Sequence, residues 1–403
     1  MAKPLQGLRV LDLSHVIAGP LASFYLAQMG AEVIKVESPN GGEVMRAQRE
    51  GNAATDTPDG FVTLNAGKKS LATDIRTREG ARIVRELAKT VDVFIENFRP
   101  GVVKKYGLDY ASIAALKSNI VYCSISGYGQ EGEWSGRGAY DHVVQALTGM
   151  MLVTGNAEDG PPVKVGFPVI DVAVGMLSAL AIVSSIHRRD REGKGQYVDA
   201  SMAQAALALM YPLTSAALTT GKEPERLGNR GYSGSPTADT YQCMDGWLST
   251  AANTPPQFRK LARVLGVEAL CSDARALDLD AFNAPNGGFV VARDLEYVRG
   301  RIRDAFRQRS AADMETQLNA VGVPAARVRC LGEFLRETVG RNKLTLPVFD
   351  FEQDGRTVRT PGLGFRLAEE GGPSACPASP LGADNQEILA KLDSDSRKHA
   401  LAK

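Results

Sequence analysis

The sequence predicts an α/β protein built on a parallel sheet, and two observations carry this prediction. Short apolar strands alternate with helical segments through the first half of the chain, which is typical of helices covering both faces of a parallel sheet. The chain is also long, at 403 residues of which 44% are hydrophobic. That length and composition allow one large or two modest domains with a sizeable core.

The first strand–helix–strand unit occupies the first forty residues. Pro20 suits the opening turn of its helix and Gly30 suits the end of it. In order, the predicted elements of the first part are a strand at 8–13, a helix at 21–29, a strand at 32–37, a helix at 77–90, and strands at 91–96 and 120–126.

Near residue 168 the pattern of short strands and helices is followed by longer helical segments. The predicted elements here are a helix at 172–191, a strand at 196–200, a helix at 201–220 kinked at Pro212, a hairpin at 241–250 turning at Asp245-Gly246, and mostly helical segments at 256–265 and 295–321. We place domain boundaries near residues 225 and 325. The prediction is therefore a large domain from 1–224 and 326–403, including linker helices, and a small domain from 225–325.

Composition excludes several classes of function. The formal net charge is only +1, without the basic excess that nucleic-acid binding normally requires. The most apolar stretch, 169–186, contains Asp171 and ends at a basic run, so we interpret it as a buried helix and expect no membrane partner. The N-terminus has no hydrophobic signal core, and the five scattered cysteines indicate free thiols. We therefore expect a cytoplasmic protein.

The motifs of common enzyme classes are missing from the sequence. The first turn offers only Gly19, whereas a dinucleotide fingerprint needs three spaced glycines. There is no Gly-x-Ser-x-Gly nucleophile motif, and neither the four histidines nor the cysteines have the spacing of a metal site. We expect no metal and no redox cofactor, which leaves carboxylates and the backbone to carry the chemistry.

Asp171 is the sole charged residue between 169 and 186, and it stands at the predicted start of a helix. It can be interpreted as an ordinary helix N-cap, a role that aspartate favours. It can also be a nucleophile, because a helix N-terminus should depress the pKa of a carboxyl group and keep it ionised.

Two loops also have both a structural and a functional interpretation. The glycine-rich segment 228–235 can be a turn, a mobile lid whose residues Gly231 and Gly234 close over an intermediate, or a source of backbone amides near a developing oxyanion. The segment 96–101 ends a strand, where Asn97 and Arg99 either cap a turn or contact a ligand at the carboxyl edge of the sheet.

Many short motifs recur in a fixed order along the chain. They are DLSHVIAGP at 12–20, MGAEVIKVE at 29–37, NAGKKSL at 65–71, ENFRPG at 96–101, SISGYG at 124–129, YD at 140–141, GKGQ at 193–196, VD at 198–199, SM at 201–202, GVPA at 322–325 and PLG at 380–382. Each is weak alone, but the ordered set covers essentially the whole chain. It resembles the class III CoA-transferases, the family of formyl-CoA transferase and the carnitine CoA-transferases.

The resemblance implies a fold and a mechanism. It implies a Rossmann-like large domain and a smaller α+β domain, in ring-shaped chains that interlock as a homodimer. The catalytic aspartate of the family falls on Asp171, which implies covalent catalysis through an aspartyl anhydride and an aspartyl-CoA thioester, with coenzyme A as a substrate. The implied partners are an acyl-CoA, a small carboxylic acid and a second copy of the chain.

The resemblance also implies which residues of this chain contact the substrates. The implied CoA-binding residues are Ile17, Ala18, Ser38, Thr73, Asp74, Ile75, Arg76, Asn97, Phe98, Arg99, Lys105, Arg137 and Tyr140. His15, with Gly231 and Gly234, is assigned to the acyl site and its lid. Arg76, Lys105 and Arg137 are expected to contact phosphate. Ile17 replaces a glutamine of formyl-CoA transferase and Ser38 replaces an arginine, which argues against formate and oxalate as substrates and against that one phosphate contact.

Two other functions are compatible with the same resemblance. An α-methylacyl-CoA racemase would need a histidine where this chain has Tyr140 and a glutamate where it has Pro255, so proton transfer at an α-carbon is disfavoured. A non-catalytic acyl-CoA-binding subunit would not need Asp171. For the transferase we expect a short dicarboxylic acid as one substrate, with Arg46 or Arg230 as candidates for binding its second carboxylate.

Overall fold

The computed structural model describes residues 3–47, 57–156, 160–232, 234–285, 287–341, 343–346, 348–367 and 376–392. The chain divides into two compact units. The first comprises 1–150, 164–222 and 346–403, and the second comprises 151–163 and 223–345.

A six-stranded parallel sheet forms the centre of the first unit, with strand order β3-β2-β1-β4-β5-β6. Its strands are β1 Arg9–Asp12, β2 Glu32–Glu37, β3 Lys69–Ala72, β4 Val93–Glu96, β5 Val121–Ser126 and β6 Gln196–Ser201. The order of the strands and their parallel direction confirm the predicted α/β class. All strands run parallel, and the chain adds β2 and β3 on one side of β1 and then β4, β5 and β6 on the other. Ligands of such sheets bind at the carboxyl ends of the strands where this order reverses.

Helices cover both faces of this sheet. The helices in this part of the chain are α1 Ala18–Gln28, α2 Asp59–Asn65, α3 Arg78–Ala88, α4 Tyr110–Leu116, α5 Asp141–Leu147, α6 Met150–Val153, α7 Val169–Glu192, α8 Met202–Leu209 and α9 Tyr211–Thr220. Alternate strand residues enter opposite cores. Val10 and Val93 belong to the core of α1 and α7, whereas Leu11 and Phe94 belong to the core of α3 and α4. Burial on both faces explains why the strands are continuously apolar.

A hairpin from the end of the chain completes the first unit. Its strands are β10 Val348–Gln353 and β11 Arg356–Pro361, paired antiparallel. Phe349 and Phe351 pack with Phe24 of α1 and Val62 of α2. The β10–β11 hairpin is therefore part of the same unit as the first helices of the chain.

The second unit contains a three-stranded antiparallel sheet of order β7-β8-β9. The strands are β7 Asp239–Cys243, β8 Gly246–Thr250 and β9 Ala325–Arg327, and the helices are α10 Pro255–Leu265, α11 Leu279–Asn283, α12 Leu295–Arg307, α13 Ala311–Ala320 and α14 Leu331–Thr338. The predicted hairpin at Asp245-Gly246 is confirmed. The segment 295–321, predicted to be mostly helical, holds two helices, and Ser310 caps the start of the second by accepting the Asp313 N–H.

The helix predicted at 201–220 is also two helices. The break falls at Met210, and Pro212 lies in the first turn of α9 instead of kinking a continuous helix. A proline there costs no hydrogen bond, because the first N–H groups of a helix have no partner within it.

Helix α7 holds the candidate nucleophile and is the long apolar helix that the sequence predicts. By length and composition it could cross a membrane, but half of its apolar window is buried, as in the core helix of a globular domain. It packs closely on α1, since a side chain at Gly175 would come within 2.7 Å of the Ala18 carbonyl oxygen. This contact fixes the start of α7 against the turn that precedes α1.

Candidate active site

The turn between β1 and α1 has an unusual backbone. Val16 has φ 68°, a left-handed conformation that is rare for a β-branched residue. Side chains from elsewhere hold it there. The Asn97 side chain accepts the His15 N–H at 2.9 Å and donates to the His15 carbonyl oxygen at 2.8 Å, while Glu43 accepts the Val16 N–H at 2.9 Å. Strained backbone that the surroundings enforce is typical of functional sites.

A first cavity of about 400 Å³ lies at the carboxyl edge of β1, β2 and β3. Of the predicted CoA-binding residues, those that line it are Ser38, Thr73, Asp74, Ile75, Arg76 and Phe98, together with His15 of the predicted acyl site. The exposed Arg76 guanidinium forms an ion pair with Asp74, at 2.9 Å. A phosphate group would therefore have to share or displace that carboxylate.

A second cavity of about 440 Å³ contains the candidate nucleophile. The predicted residues that line it are His15, Ile17, Ala18, Asn97, Phe98, Arg99, Arg137, Tyr140 and Asp171. The two cavities adjoin, since His15, Val44, Phe98 and Val102 line both of them. One extended molecule could therefore occupy both, with one end beside Asp171.

Three predicted residues lie outside these cavities. Lys105 is exposed in a short 3₁₀ turn, Val103–Tyr106, and lines neither of them. Gly231 and Gly234 belong to the second unit. Gly231 donates its N–H to the Ala238 carbonyl oxygen at 2.7 Å, and Gly234 has φ 71°.

Asp171 is not the N-cap of its helix, which corrects one interpretation of the sequence. Helix α7 starts at Val169 and its N-cap is Pro168, so Asp171 is the third residue of the helix. The capping acceptor comes from α5. The Asp141 carboxylate accepts the backbone N–H groups of Ile170 at 2.7 Å and Asp171 at 3.0 Å.

The expected depression of the Asp171 pKa is also wrong. Burial, together with the negative charge of Asp141, raises the pKa of Asp171 to about 7. The helix N–H groups that would have stabilised the charged form are used by Asp141 instead. The carboxylate is therefore more basic than an ordinary aspartate.

The sequence reasoning missed Asp141 and Gln145 as site residues. The Gln145 amide donates to Asp141 at 2.5 Å, and its oxygen accepts the Val165 N–H at 2.8 Å, so Asp141 is held from both sides. The available signal was the Tyr140-Asp141 motif followed one helical turn later by glutamine, a pairing whose side chains share a helix face.

His15 presents a neutral imidazole to both cavities. Burial lowers its pKa, with a further contribution from the positive charge of Lys35 that outweighs the effect of Asp12. Its ring lies 5.2 Å from that of Phe98. A neutral histidine can donate one hydrogen bond and accept another, which suits a carboxylate or thioester oxygen.

Arg46 is not available for a substrate carboxylate. Its guanidinium binds Glu37 with two hydrogen bonds of 2.6 and 2.8 Å, donates to the Ser379 carbonyl oxygen and lies over the Phe61 ring. The bidentate geometry that suggested substrate binding is satisfied inside the protein. Arg230, in the second unit, donates to the Leu227 carbonyl oxygen at 2.9 Å.

No group of three or more His, Cys, Asp or Glu side chains forms a metal-binding cluster in the part of the chain that the structure describes.

Comparison with known proteins agrees with this site. The sequence profile of CoA-transferase family III matches residues 5–385. A succinate–glutarate CoA-transferase of Agrobacterium fabrum is 35% identical over 98% of this chain and 97% of its own length. A succinyl-CoA:glutarate CoA-transferase of Mus musculus is 38% identical over 68% of this chain and 62% of its own length.

The fold also matches a solved structure. A CAIB/BAIF family protein from Brucella suis superposes with a TM-score of 0.82 at 29% identity, covering 97% of this chain and 100% of that chain. The chain belongs to CoA-transferase family III, as its ordered motifs predicted. It is thus a CoA-transferase by family, with the mixed α/β fold of the CaiB/BaiF proteins.

Proposed function

We propose that this protein transfers CoA from an acyl-CoA thioester to a free short dicarboxylic acid through covalent intermediates on Asp171. One observation carries the proposal: a partly buried, basic carboxylate, Asp171, lies in a cavity that adjoins a second cavity at the carboxyl edge of the sheet. Together the cavities can take an extended nucleotide thioester and bring its reactive end to a nucleophile.

The first half-reaction exchanges the acyl group and CoA on the aspartate. A carboxylate oxygen of Asp171 attacks the thioester carbonyl carbon, the C–S bond breaks, and the products are an aspartyl mixed anhydride and CoA thiolate. The thiolate then attacks the aspartyl carbonyl carbon. The anhydride C–O bond breaks, the donor acid leaves as a carboxylate, and an aspartyl-CoA thioester remains.

The second half-reaction reverses these steps with the acceptor acid. Its carboxylate attacks the aspartyl thioester, releasing CoA thiolate and forming a new anhydride. The thiolate attacks the acceptor's carbonyl carbon, which gives the new acyl-CoA and restores the Asp171 carboxylate. Each step keeps one activated acyl bond, so no external energy source is needed.

The residues around Asp171 have separate tasks in this proposal. Asp141 holds the backbone of the nucleophile and keeps its carboxylate basic. His15 is placed to donate a hydrogen bond to a carboxylate or carbonyl oxygen of the substrate. Arg99 and Arg137 bring positive charge to the same cavity, where anionic groups of both substrates would lie.

A dicarboxylic acid is favoured by the relatives and by the cavity. The two CoA-transferases compared above are named for succinate and glutarate. Ile17 lines the cavity where formyl-CoA transferase has a glutamine, so a polar contact for the smallest acids is missing. Succinate, malate, citramalate, mesaconate and itaconate are the acids that we propose to test, with glutarate from the relatives.

The deciding experiment is a panel assay. Succinyl-CoA, acetyl-CoA and formyl-CoA are each offered with mono- and dicarboxylate acceptors, and new thioesters are measured by mass spectrometry. We expect turnover with a dicarboxylate on at least one side. Turnover confined to monocarboxylates would contradict the substrate class, and deuterium exchange at the α-carbon without CoA transfer would instead indicate a racemase.

We also propose that the protein is an interlocked cytoplasmic homodimer with the domain limits predicted from the sequence. The apolar surface of the first unit supports self-association. Helix α9 buries none of its residues, and Tyr211 and Leu218 are 70% and 83% exposed. Leu180 of α7 is 63% exposed. An apolar helix face of this kind normally packs against a partner.

A further inference from the structure

A fully buried lysine lies beneath the turn that precedes α1. The Lys68 ammonium lies within hydrogen-bond distance of four oxygens, to which it directs its three N–H groups: the Asp12 carboxylate at 3.2 Å, the Ser23 hydroxyl at 2.7 Å, the Pro20 carbonyl at 2.9 Å and the Asn65 side chain at 2.9 Å. Lys68 belongs to the NAGKKSL motif at 65–71, which lines neither cavity. The mechanism proposed above therefore leaves this motif without a role.

Asp12, the last residue of β1, connects Lys68 to the turn. It accepts the Ser14 N–H at 2.9 Å and the hydroxyls of Ser14 and Ser23, both at 2.5 Å. A second buried lysine, Lys35, donates to the Ser14 carbonyl oxygen at 2.8 Å. Both backbone polar groups of Ser14 are thus fixed by buried charged side chains.

The next two residues of the turn line the cavities. His15 and Val16 follow Ser14 directly, and their backbones are held by Asn97 and Glu43 as described above. Three consecutive residues therefore have their backbone groups bound by side chains. The left-handed Val16 needs such support, because a β-branched residue does not adopt φ 68° without enforcement.

The stability of the fold does not by itself explain why Asp12 and Lys68 are charged residues. Burial lowers the pKa of Lys68 to about 7 despite the attraction of Asp12, so its charged form is costly. Burial also opposes the charged form of Asp12, but Lys68, Lys35 and two serine hydroxyls outweigh it and its pKa is lowered. Apolar side chains of similar size commonly stabilise a core as well as a buried ion pair does. What they cannot supply is the directed hydrogen bonds of an ammonium group.

We propose that Lys68 is a positioning residue for the acyl cavity. Through Asp12, Ser23 and the Pro20 carbonyl group it clamps the end of β1 to the start of α1, and so fixes the turn that places His15 and Val16 beside Asp171. This inference rests on the proposed transferase function for its kinetic consequence. Its structural consequence, a turn that depends on Lys68, is independent of the reaction.

The test compares Lys68→Met with Lys69→Met. Both remove one positive charge at adjacent positions, but Lys69 pairs with Glu32 and Glu387 at the partly exposed edge. In Lys68→Met we expect kcat to fall at least tenfold while KM for acyl-CoA changes less than threefold, because residues 73–76 and 36–38 still line the first cavity. We expect Lys69→Met to stay within twofold of the parent protein in both constants.

Hydrogen–deuterium exchange supplies a readout that does not depend on activity. Amides of 13–20 should exchange at least tenfold faster in Lys68→Met than in Lys69→Met, with exchange in α3 unchanged in both. Equal exchange at 13–20 in the two variants would overturn the proposal. So would an unchanged kcat in Lys68→Met when the parent protein is active. An inactive parent protein would refute the proposed function, and the exchange measurement would still decide this inference.

Two further variants keep the test valid if Lys68→Met fails to fold. Asp12→Asn combined with Lys68→Met leaves no uncompensated carboxylate, and Ser23→Ala removes one acceptor of the Lys68 ammonium without changing charge. Both variants should fold. The double variant should show the loss of kcat and the faster exchange at 13–20 expected for Lys68→Met, and Ser23→Ala should show smaller changes of both quantities in the same direction. Normal kcat and normal exchange in both folded variants would overturn the positioning role.

Discussion

The Asp171 carboxylate should be indispensable for transfer. Asp171→Ala should reduce kcat at least 10³-fold, since nothing else in its cavity replaces the covalent step, while binding of free CoA changes less than threefold. Hydroxylamine or borohydride added during turnover should modify Asp171 in the parent protein, as detected by peptide mass spectrometry.

Asp190 offers a matched control for that variant. It lies near the other end of α7, with its side chain 61% exposed in an ion pair with Arg189. Asp190→Ala should keep its activity within twofold. Substantial transfer by Asp171→Ala, or trapping at another residue, would refute the covalent mechanism.

The pH dependence of transfer should report the environment of Asp171. Because its pKa is raised to about 7 and the ionised form is the nucleophile, kcat/KM should rise as pH increases through about 7. Asp141→Asn keeps an oxygen to cap α7 but removes the neighbouring charge. The midpoint should therefore move to lower pH, by up to about one unit.

Asp109→Asn is the control for the pH experiment. Asp109 also stands at the start of a helix, α4, but it does not contribute to the raised pKa of Asp171. Its substitution should leave the midpoint unchanged. A midpoint in Asp141→Asn equal to that of the parent protein would show that Asp141 does not set the basicity of the nucleophile.

The same raised pKa predicts a stability effect. Between about pH 4 and 7 the folded protein keeps the Asp171 proton that the unfolded chain loses, so ionisation destabilises the fold as pH rises. Asp171→Asn, which cannot ionise, should raise the free energy of unfolding at pH 8.5 by on the order of 1–3 kcal/mol and change it little at pH 4. Denaturant titration at both pH values measures this, and equal effects at the two would contradict it.

The glycine-rich loop at 228–235 is expected to shield the intermediates from water. Gly231→Val is a poor probe, because its Cβ would come within 2.5 Å of the Ala238 Cβ and disturb local packing. Gly234 has φ 71° and no neighbour within 4 Å of an added Cβ. Gly234→Val should raise thioester hydrolysis relative to transfer at least threefold, measured as free CoA formed per transfer product.

Gly355→Val is the control for strain in the loop experiment. Gly355 has φ 77°, equally open surroundings and a place in the turn of the β10–β11 hairpin. Both variants carry the same backbone penalty, so only a lid residue should change the ratio of hydrolysis to transfer. An unchanged ratio in Gly234→Val would end the lid proposal.

The assembly should be a homodimer that does not dissociate on dilution. Interlocked chains can separate only by partial unfolding, so the sedimentation coefficient should stay constant from micromolar to nanomolar protein. Leu218→Glu on α9 tests the proposed contact surface, with Lys222→Glu at the exposed end of the same segment as control. A reversible, concentration-dependent monomer in the parent protein would contradict interlocking.

Sequence by itself determined the α/β class, five of the six strands of the parallel sheet and the family, and it missed only β3 of that sheet. Apolar periodicity reports burial on both sheet faces, and ordered motifs are specific even where each one is weak. It also indicated Asp171 as a lone charge in an apolar helix. These properties depend on neighbouring residues or on the order of motifs along the chain, so the sequence alone is enough to predict them.

Only the tertiary structure decided the electrostatics and the partners of the site. The Asp171 pKa is raised, where the helix start alone suggested the opposite, because burial opposes its ionisation and the negative charge of Asp141 from α5 adds to that effect. Arg46 is unavailable because Glu37 binds it, and the NAGKKSL motif acts beneath a turn fifty residues earlier in the chain. Each depends on which distant side chains meet in a low-dielectric interior, where desolvation and pairing set the energy of a charge.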